Sequence, residues 1–98
     1  MPVTLLVRLW AVPGNEHLLV EYEDQVLLRL PAHGARVVQR VRSTDEPYGP
    51  FETHILEFPS DAALDQYMAD PQRAALSELR DRAIARTEVR RVEVVDHP

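Results

Sequence analysis

The stretch Phe51-Glu52-Thr53-His54-Ile55-Leu56-Glu57-Phe58-Pro59-Ser60 decides the architecture. Up to Phe58 the side chains alternate, with His54, Leu56 and Phe58 on one face and Thr53, Ile55 and Glu57 on the other. That period of two is the signature of a half-buried strand. At Pro59-Ser60 the period changes. Ser60 is a good N-cap, and a short helix is expected around Asp61–Met68. Asp70-Pro71 restarts the helix, with Asp as cap and Pro in the first turn, where its missing N–H costs nothing. Ala75, Leu76, Leu79 and Ala83 then supply a buried stripe. A last strand is expected over Thr87–Val95, ahead of a frayed Asp96-His97-Pro98.

Working backwards, Ser43–Pro50 holds Asp45, Pro47, Gly49 and Pro50, a polar connection of hairpin type. It joins the central strand to one over Ala35–Ser43. There Ala35, Val37, Gln39 and Val41 face one way and Arg36, Val38, Arg40 and Arg42 the other. Before it, Leu18, Leu19, Tyr22, Val26, Leu27 and Leu30 recur at helical spacing over Glu16–Leu30. Asn15 is the expected cap, Glu16, Glu21, Glu23 and Asp24 favour the N-terminal half through the helix dipole, and Pro31 and Gly34 mark the exit. The first strand is Val3–Val12, closed by Pro13-Gly14. Val3, Leu5, Val7, Leu9 and Ala11 make its apolar face, and Thr4, Leu6, Arg8, Trp10 and Val12 a mixed one. The order β-α-β-β-α-β predicts an α+β fold: a ferredoxin-like split βαβ with a four-stranded antiparallel sheet and two helices on one face. Ninety-eight residues form one such domain, residues 1–98.

Composition narrows the function. The formal charge is −5, with 11 basic residues against 16 acidic ones. A general nucleic-acid or anionic-membrane binder needs a continuous positive field, so neither partner is expected. The absence of Cys excludes thiol chemistry and disulfides. All the basic residues are Arg, which excludes a lysine Schiff base on this chain. Arg8 interrupts the first apolar run, no stretch approaches a membrane span, and a cytoplasmic location is expected. His17, His33, His54 and His97 lack metal-ligand spacing, leaving only a weak alternative of His54 with Glu52 or Glu57. Gly14, Gly34 and Gly49 build no phosphate cradle. No cofactor is expected.

Two helices cover only one side of a four-stranded sheet. The other side carries Leu6, Trp10 and further valines or isoleucines, so a homodimer packed through that open face is expected, with a monomer as the alternative. The segments Tyr22-Glu23-Asp24-Gln25-Val26 through His33-Gly34, Leu56-Glu57-Phe58-Pro59-Ser60, and Tyr67-Met68-Ala69-Asp70-Pro71 followed by Leu79-Arg80 carry a family likeness. With them the chain resembles the dimeric α+β barrel superfamily, in particular small antibiotic-biosynthesis-monooxygenase-like and related uncharacterised stand-alone domains. The resemblance implies two sheets packed face to face and a small ligand held between sheet and helices. It also implies activities ranging from cofactor-free oxygenation of aromatic polyketides and haem degradation to none known. Such oxygenases use Trp with a polar partner such as Asn. The single Asn here, Asn15, matches no such position.

The candidate site residues follow from chemistry and placement. His54 is read first as a partly buried, hydrogen-bonded strand histidine, and alternatively as a proton-transfer group near neutral pH with Glu52 on its face. Tyr67 and Tyr22 sit on helical stripes, either packed in the core or orienting a ligand oxygen. Tyr67 is the second catalytic candidate. Trp10 either plugs the dimer interface or stacks on a planar ligand. Phe58 is a candidate for packing against that ligand. Arg40, with Arg36, Arg42 and Arg8, is a candidate anion patch, or else pairs with Glu52 across the hairpin. His33 is expected to favour the helix C-terminus, and Arg80, Asp81 and Arg82 to form a solvated face. The expected function is the handling of a hydrophobic small molecule, by a cofactor-free monooxygenase or a cyclase/isomerase acting on an aromatic metabolite. The alternative is a non-catalytic ligand-binding or structural dimer.

Overall fold

A computed structural model describes residues 1–45 and 49–97. Pro47 of the expected connection and Pro98 of the tail lie outside the described residues. Four strands, β1 (Val3–Ala11), β2 (Arg36–Arg42), β3 (Glu52–Phe58) and β4 (Ile84–Val92), form one sheet in the order β2-β3-β1-β4. Every neighbouring pair is antiparallel. The helices are α1 (Glu16–Leu27), α2 (Asp61–Met68), α3 (Pro71–Ala74) and α4 (Ser77–Ala83), with a 3-10 turn at Pro31–His33. This is the expected split βαβ arrangement.

On β1 the apolar face is the covered one: Val3, Leu5 and Leu9 are buried, and Val7 and Ala11 partly so. On β3 the buried positions are Glu52, His54, Leu56 and Phe58, and the alternation predicted from sequence holds throughout. One cluster gathers Leu5, Leu30, Leu56, Phe58 and Tyr67, and a second gathers Leu9, Leu19 and Ala83. Val7 packs against both, and His54 is its partner across the sheet.

Strand β2 departs from simple alternation. Its register with β3 shifts between Val37 and Gln39, so Val37 pairs with Leu56 while Arg40 pairs with His54 and Arg42 with Glu52. An extra residue in one strand of an antiparallel pair inverts the parity beyond it. Gln39 and Val41 therefore leave the face of Val37, and Arg40 and Arg42 move onto it. The expected Arg36–Arg40–Arg42 face does not form. Arg36 instead pairs with Glu57 on the outer side, bonding it at 3.1 Å.

Several ends also differ. The first helix stops at Leu27, and the chain then turns through Leu30 and the 3-10 turn to a left-handed Gly34, φ 71°. A Cβ there would meet Pro59 Cγ at 3.3 Å, so only glycine fits without displacing the β3–α2 corner. Asn15 does not cap α1 through its side chain; its Nδ2 donates to the Arg82 carbonyl at 2.8 Å, tying α1 to α4. Ser60 does cap α2, accepting from Ala63 N–H at 3.1 Å, and Asp70 caps α3, accepting from Gln72 N–H at 2.8 Å. The last strand begins at Ile84, three residues before the expected start, because α4 runs into it with no linker. Ala75, expected in the buried stripe, is exposed; Leu76 and Leu79 are half-buried and Ala83 is fully buried.

Candidate functional site

Between the covered face of the sheet and the helices lies a cavity of about 550 Å³. That is the size range of a small-molecule site. Leu5, Val7, Leu9, Leu56 and Phe58 form its sheet wall, and Tyr22, Val26, Leu64 and Tyr67 much of its helical wall. The polar groups on this apolar lining include His54, Glu23, Arg73 and Arg80.

The alternation of β3 puts Glu52 and His54 on the same inward face, both essentially without exposure. His54 Nε2 donates to Glu52 Oε1 at 2.7 Å. Arg40 grips both Glu52 oxygens, Nε to Oε1 at 2.8 Å and Nη2 to Oε2 at 3.2 Å, and Arg42 Nε reaches Oε2 at 2.8 Å. Burial alone would raise the Glu52 carboxyl, but the bonds from His54, Arg40 and Arg42 outweigh it and hold its pKa at about 2. Glu52 is therefore a permanent anion that fixes the imidazole. Arg40 also binds Asp24 of α1 at 2.7 Å, so the β2 arginines serve the pairing reading rather than an open anion patch. Arg8, the expected fourth member, bonds Glu88 on the opposite face.

On the other side of the ring stands Glu23, which sequence reasoning placed among the dipole-favouring acids of the helix. It is buried, with Oε1 3.6 Å from His54 Nδ1. Nδ1 itself has no hydrogen-bond partner among the described residues. Burial, opposed by His54 and reinforced by the Glu52 charge, pushes the Glu23 pKa up to about 7. The signal was present in the spacing. Glu23 is four residues after Leu19 and three before Val26, both fully buried on the same stripe. An acid inside an apolar stripe marks a buried carboxyl.

The remaining candidates divide. Tyr22 and Tyr67 line the cavity, and burial raises both hydroxyl pKa values. The Tyr67 hydroxyl is already committed, donating to the Val26 carbonyl at 3.1 Å. Phe58 is fully buried in the cavity wall, its ring centroid 5.5 Å from that of Tyr67. Trp10 is not at the cavity. It lies on the outer face, paired with Arg86, whose guanidinium sits 4.4 Å from the ring centroid; Arg8 stands at 5.7 Å. That face also carries Leu6, Ile55 and an exposed Val41, crossed by the Arg8–Glu88 and Arg36–Glu57 pairs. His33 stands in the last turn ahead of Gly34, as expected. It meets buried Asp70 at 2.8 Å, beside Arg29 at 3.1 Å. His33, the backbone N–H of Gln72 and Arg29 together hold the Asp70 pKa at about 2. Arg80, Asp81 and Arg82 are exposed, as expected of a solvated face, and Arg80 also borders the cavity. No cluster of metal-ligating side chains occurs among the described residues, and Glu57 lies on the opposite face of the sheet from His54. No helix among them is long and apolar enough to cross a membrane.

No protein-family model and no curated protein matches the sequence. Solved structures do match in shape. A protein of Bacteroides fragilis, described as dimeric, of unknown function and of ferredoxin-like fold, superposes with a TM-score of 0.72 at 15% identity, covering 95% of this chain and 96% of that one. The chain has the ferredoxin-like fold. This ferredoxin-like chain is also similar to a "putative antibiotic biosynthesis monooxygenase" of Bacteroides thetaiotaomicron, TM-score 0.81, 15% identity, covering 97% of this chain and 90% of that one. A protein of Mycobacterium tuberculosis matches at TM-score 0.77 and 18% identity, covering 99% and 98%. At such identities the likeness establishes the fold, and the chemistry must be argued from the site.

Proposed function

We propose that this protein is an acid–base enzyme acting on a hydrophobic, aromatic small molecule held between sheet and helices. Glu23 is the proton-carrying group at the cavity wall, and His54 behind it is the second carrier. The observation that carries this reading is the Glu52–His54–Glu23 line: a fixed anion orients one ring nitrogen, and the other nitrogen faces a carboxyl that titrates near neutral pH. With Nε2 donating to Glu52, the neutral ring carries its lone pair on Nδ1, toward Glu23. In its ionised form Glu23 removes a proton from a weakly acidic C–H or O–H of the substrate. The apolar lining lowers the local dielectric and strengthens that transfer. Tyr67 acts as a positioning residue for α1, and Phe58 and Tyr22 pack the substrate ring.

Proton abstraction of this kind opens an isomerisation or cyclisation, and equally yields the electron-rich anion that a cofactor-free oxygenation needs. The similarity to the Bacteroides thetaiotaomicron protein supports keeping both outcomes within one proposal. In the same reading a second copy covers the outer face around Leu6, Ile55 and Trp10, which no helix among the described residues covers; the dimeric Bacteroides fragilis relative supports it. The test is deuterium exchange at the α-carbons of 2-tetralone and 3-benzoylpropanoate, followed by NMR. Wild type is expected to accelerate exchange about a hundredfold or more over the Glu23→Gln variant. Equal rates for the two proteins on both ketones would overturn the proposal.

A further inference from the structure

Two arginines line the cavity with no carboxylate partner among the described residues. Arg73, on α3, has its guanidinium 4.6 Å from the Tyr67 ring centroid and offers Nη1 only to Met68 Sδ at 3.7 Å. Its Nε is buried and without a hydrogen-bond partner. Arg80, on α4, is exposed at the rim of the cavity, where it reaches Thr87 Oγ1 at 3.5 Å and also bonds the Tyr22 hydroxyl. Arg8, Arg29, Arg36, Arg40 and Arg42, by contrast, each meet a carboxylate. A buried guanidinium donor left unpaired is costly, so its retention in a cavity wall calls for a partner that arrives with the ligand.

We propose that Arg73 and Arg80 form an anion-binding pole of the cavity, and that the ligand is an amphipathic acid with an apolar body and one carboxylate. The proposal rests on the reading of the cavity as a small-molecule site and adds the substrate class. Planar guanidinium forks match a carboxylate in two-point geometry, and the Tyr22 hydroxyl adds a third donor at the same place. The apolar part of the lining, led by Val7, Leu9 and Leu56, suits the apolar body. The charge of Arg73 bears on both Tyr22 and Glu23, so the pole and the proton-carrying end belong to one continuous site. An acid anchored at Arg73 and Arg80 presents another part of its body to Glu23. The carboxylate is thus a handle and not the reacting group.

The test is calorimetric binding of 2-naphthoate and of methyl 2-naphthoate to wild type, Arg73→Gln, Arg80→Gln and Arg36→Gln. Wild type is expected to favour the acid by about tenfold or more. Arg73→Gln and Arg80→Gln should each shrink that preference toward unity, and Arg36→Gln, on the outer face beside Glu57, should leave it intact. Should Arg73→Gln fail to fold, Arg80→Gln and the weakening of the acid's binding with added salt carry the same decision. An ester that binds wild type as tightly as the acid overturns the anion pole while leaving the cavity reading standing. So does a preference that survives in a folded Arg80→Gln. Failure of both probes to bind overturns the cavity reading and the pole with it.

Discussion

His54 Nε2 and Glu52 Oε1 lie 2.7 Å apart with neither side chain exposed, although the two residues are only two positions apart on one strand. A buried anion next to a buried imidazole is tolerable only when other groups share the charge. Arg40 and Arg42 do so from β2, and the bulge of that strand is what delivers both to the inner face.

Removing that anion should be expensive and pH-dependent. Glu52→Gln leaves Arg40 and His54 without their partner, and a loss of about 3 kcal/mol is expected at pH 7 by urea denaturation. The folded-state pKa of Glu52 is depressed, so its stabilisation is present above the unfolded carboxyl value and is lost as pH falls through about 2. The gap between wild type and Glu52→Gln should therefore narrow steadily as the pH is lowered from 5 toward about 2. A gap of constant size would show that the carboxylate is not stabilised by its neighbours.

Tyr67→Phe tests the assignment of that hydroxyl to structure. The lost bond to the Val26 carbonyl should cost about 1 kcal/mol, a fall in Tm of roughly 4–8 °C. Ketone exchange measured well below the Tm should stay within about threefold of wild type. A hundredfold loss at preserved stability would restore Tyr67 as a proton donor.

Trp10→Glu addresses the outer face. Light scattering of wild type at micromolar concentration should give twice 11.2 kDa. The variant, which loses the indole and sets a carboxylate beside Arg8 and Arg86 in its place, should shift toward monomer. A monomeric wild type would contradict the dimer, and a variant dimer as tight as wild type would move the interface elsewhere.

Glu23 carries the opposite sign to Glu52. Its folded pKa is raised to about 7, so the stability tied to its protonated form is full below the ordinary carboxyl value and is lost as pH rises through 7. His54, Glu52, Arg73 and Arg40 are the charged or titratable groups that set this value. Thermal melts should show wild type losing Tm between pH 5 and 8, whereas Glu23→Gln should be flatter and more stable than wild type at pH 8 by roughly 5 °C. A variant that loses Tm across that range as wild type does would contradict the buried acid.

Much of the fold was legible because period and punctuation agree locally. β3 alternates without a fault, and Ser60 and Asp70 cap as their chemistry predicts. The site was legible only where it follows that period: Glu52 and His54 share a face by counting. Arg40 was misplaced because a bulge leaves no mark in the order Val37-Val38-Gln39, and its parity depends on pairing with β3. Glu23 is hard to read because its charge suggests solvent, while its place between Leu19 and Val26 on the stripe points inward. Arg73 and Arg80 required the tertiary arrangement, since short helices joined within a few residues do not reveal which of their sides closes over the sheet.

The central claim is that a proton exchanges at the cavity wall near neutral pH. The most direct measurement is a carbon-13 NMR titration of the Glu23 side-chain carboxyl in wild type, assigned by its absence in Glu23→Gln. A midpoint of about 7 is predicted. A midpoint at the ordinary value of about 4.5 would contradict the account, for Glu23 would then be a solvated anion with no proton to hold at the pH where the cavity is said to work.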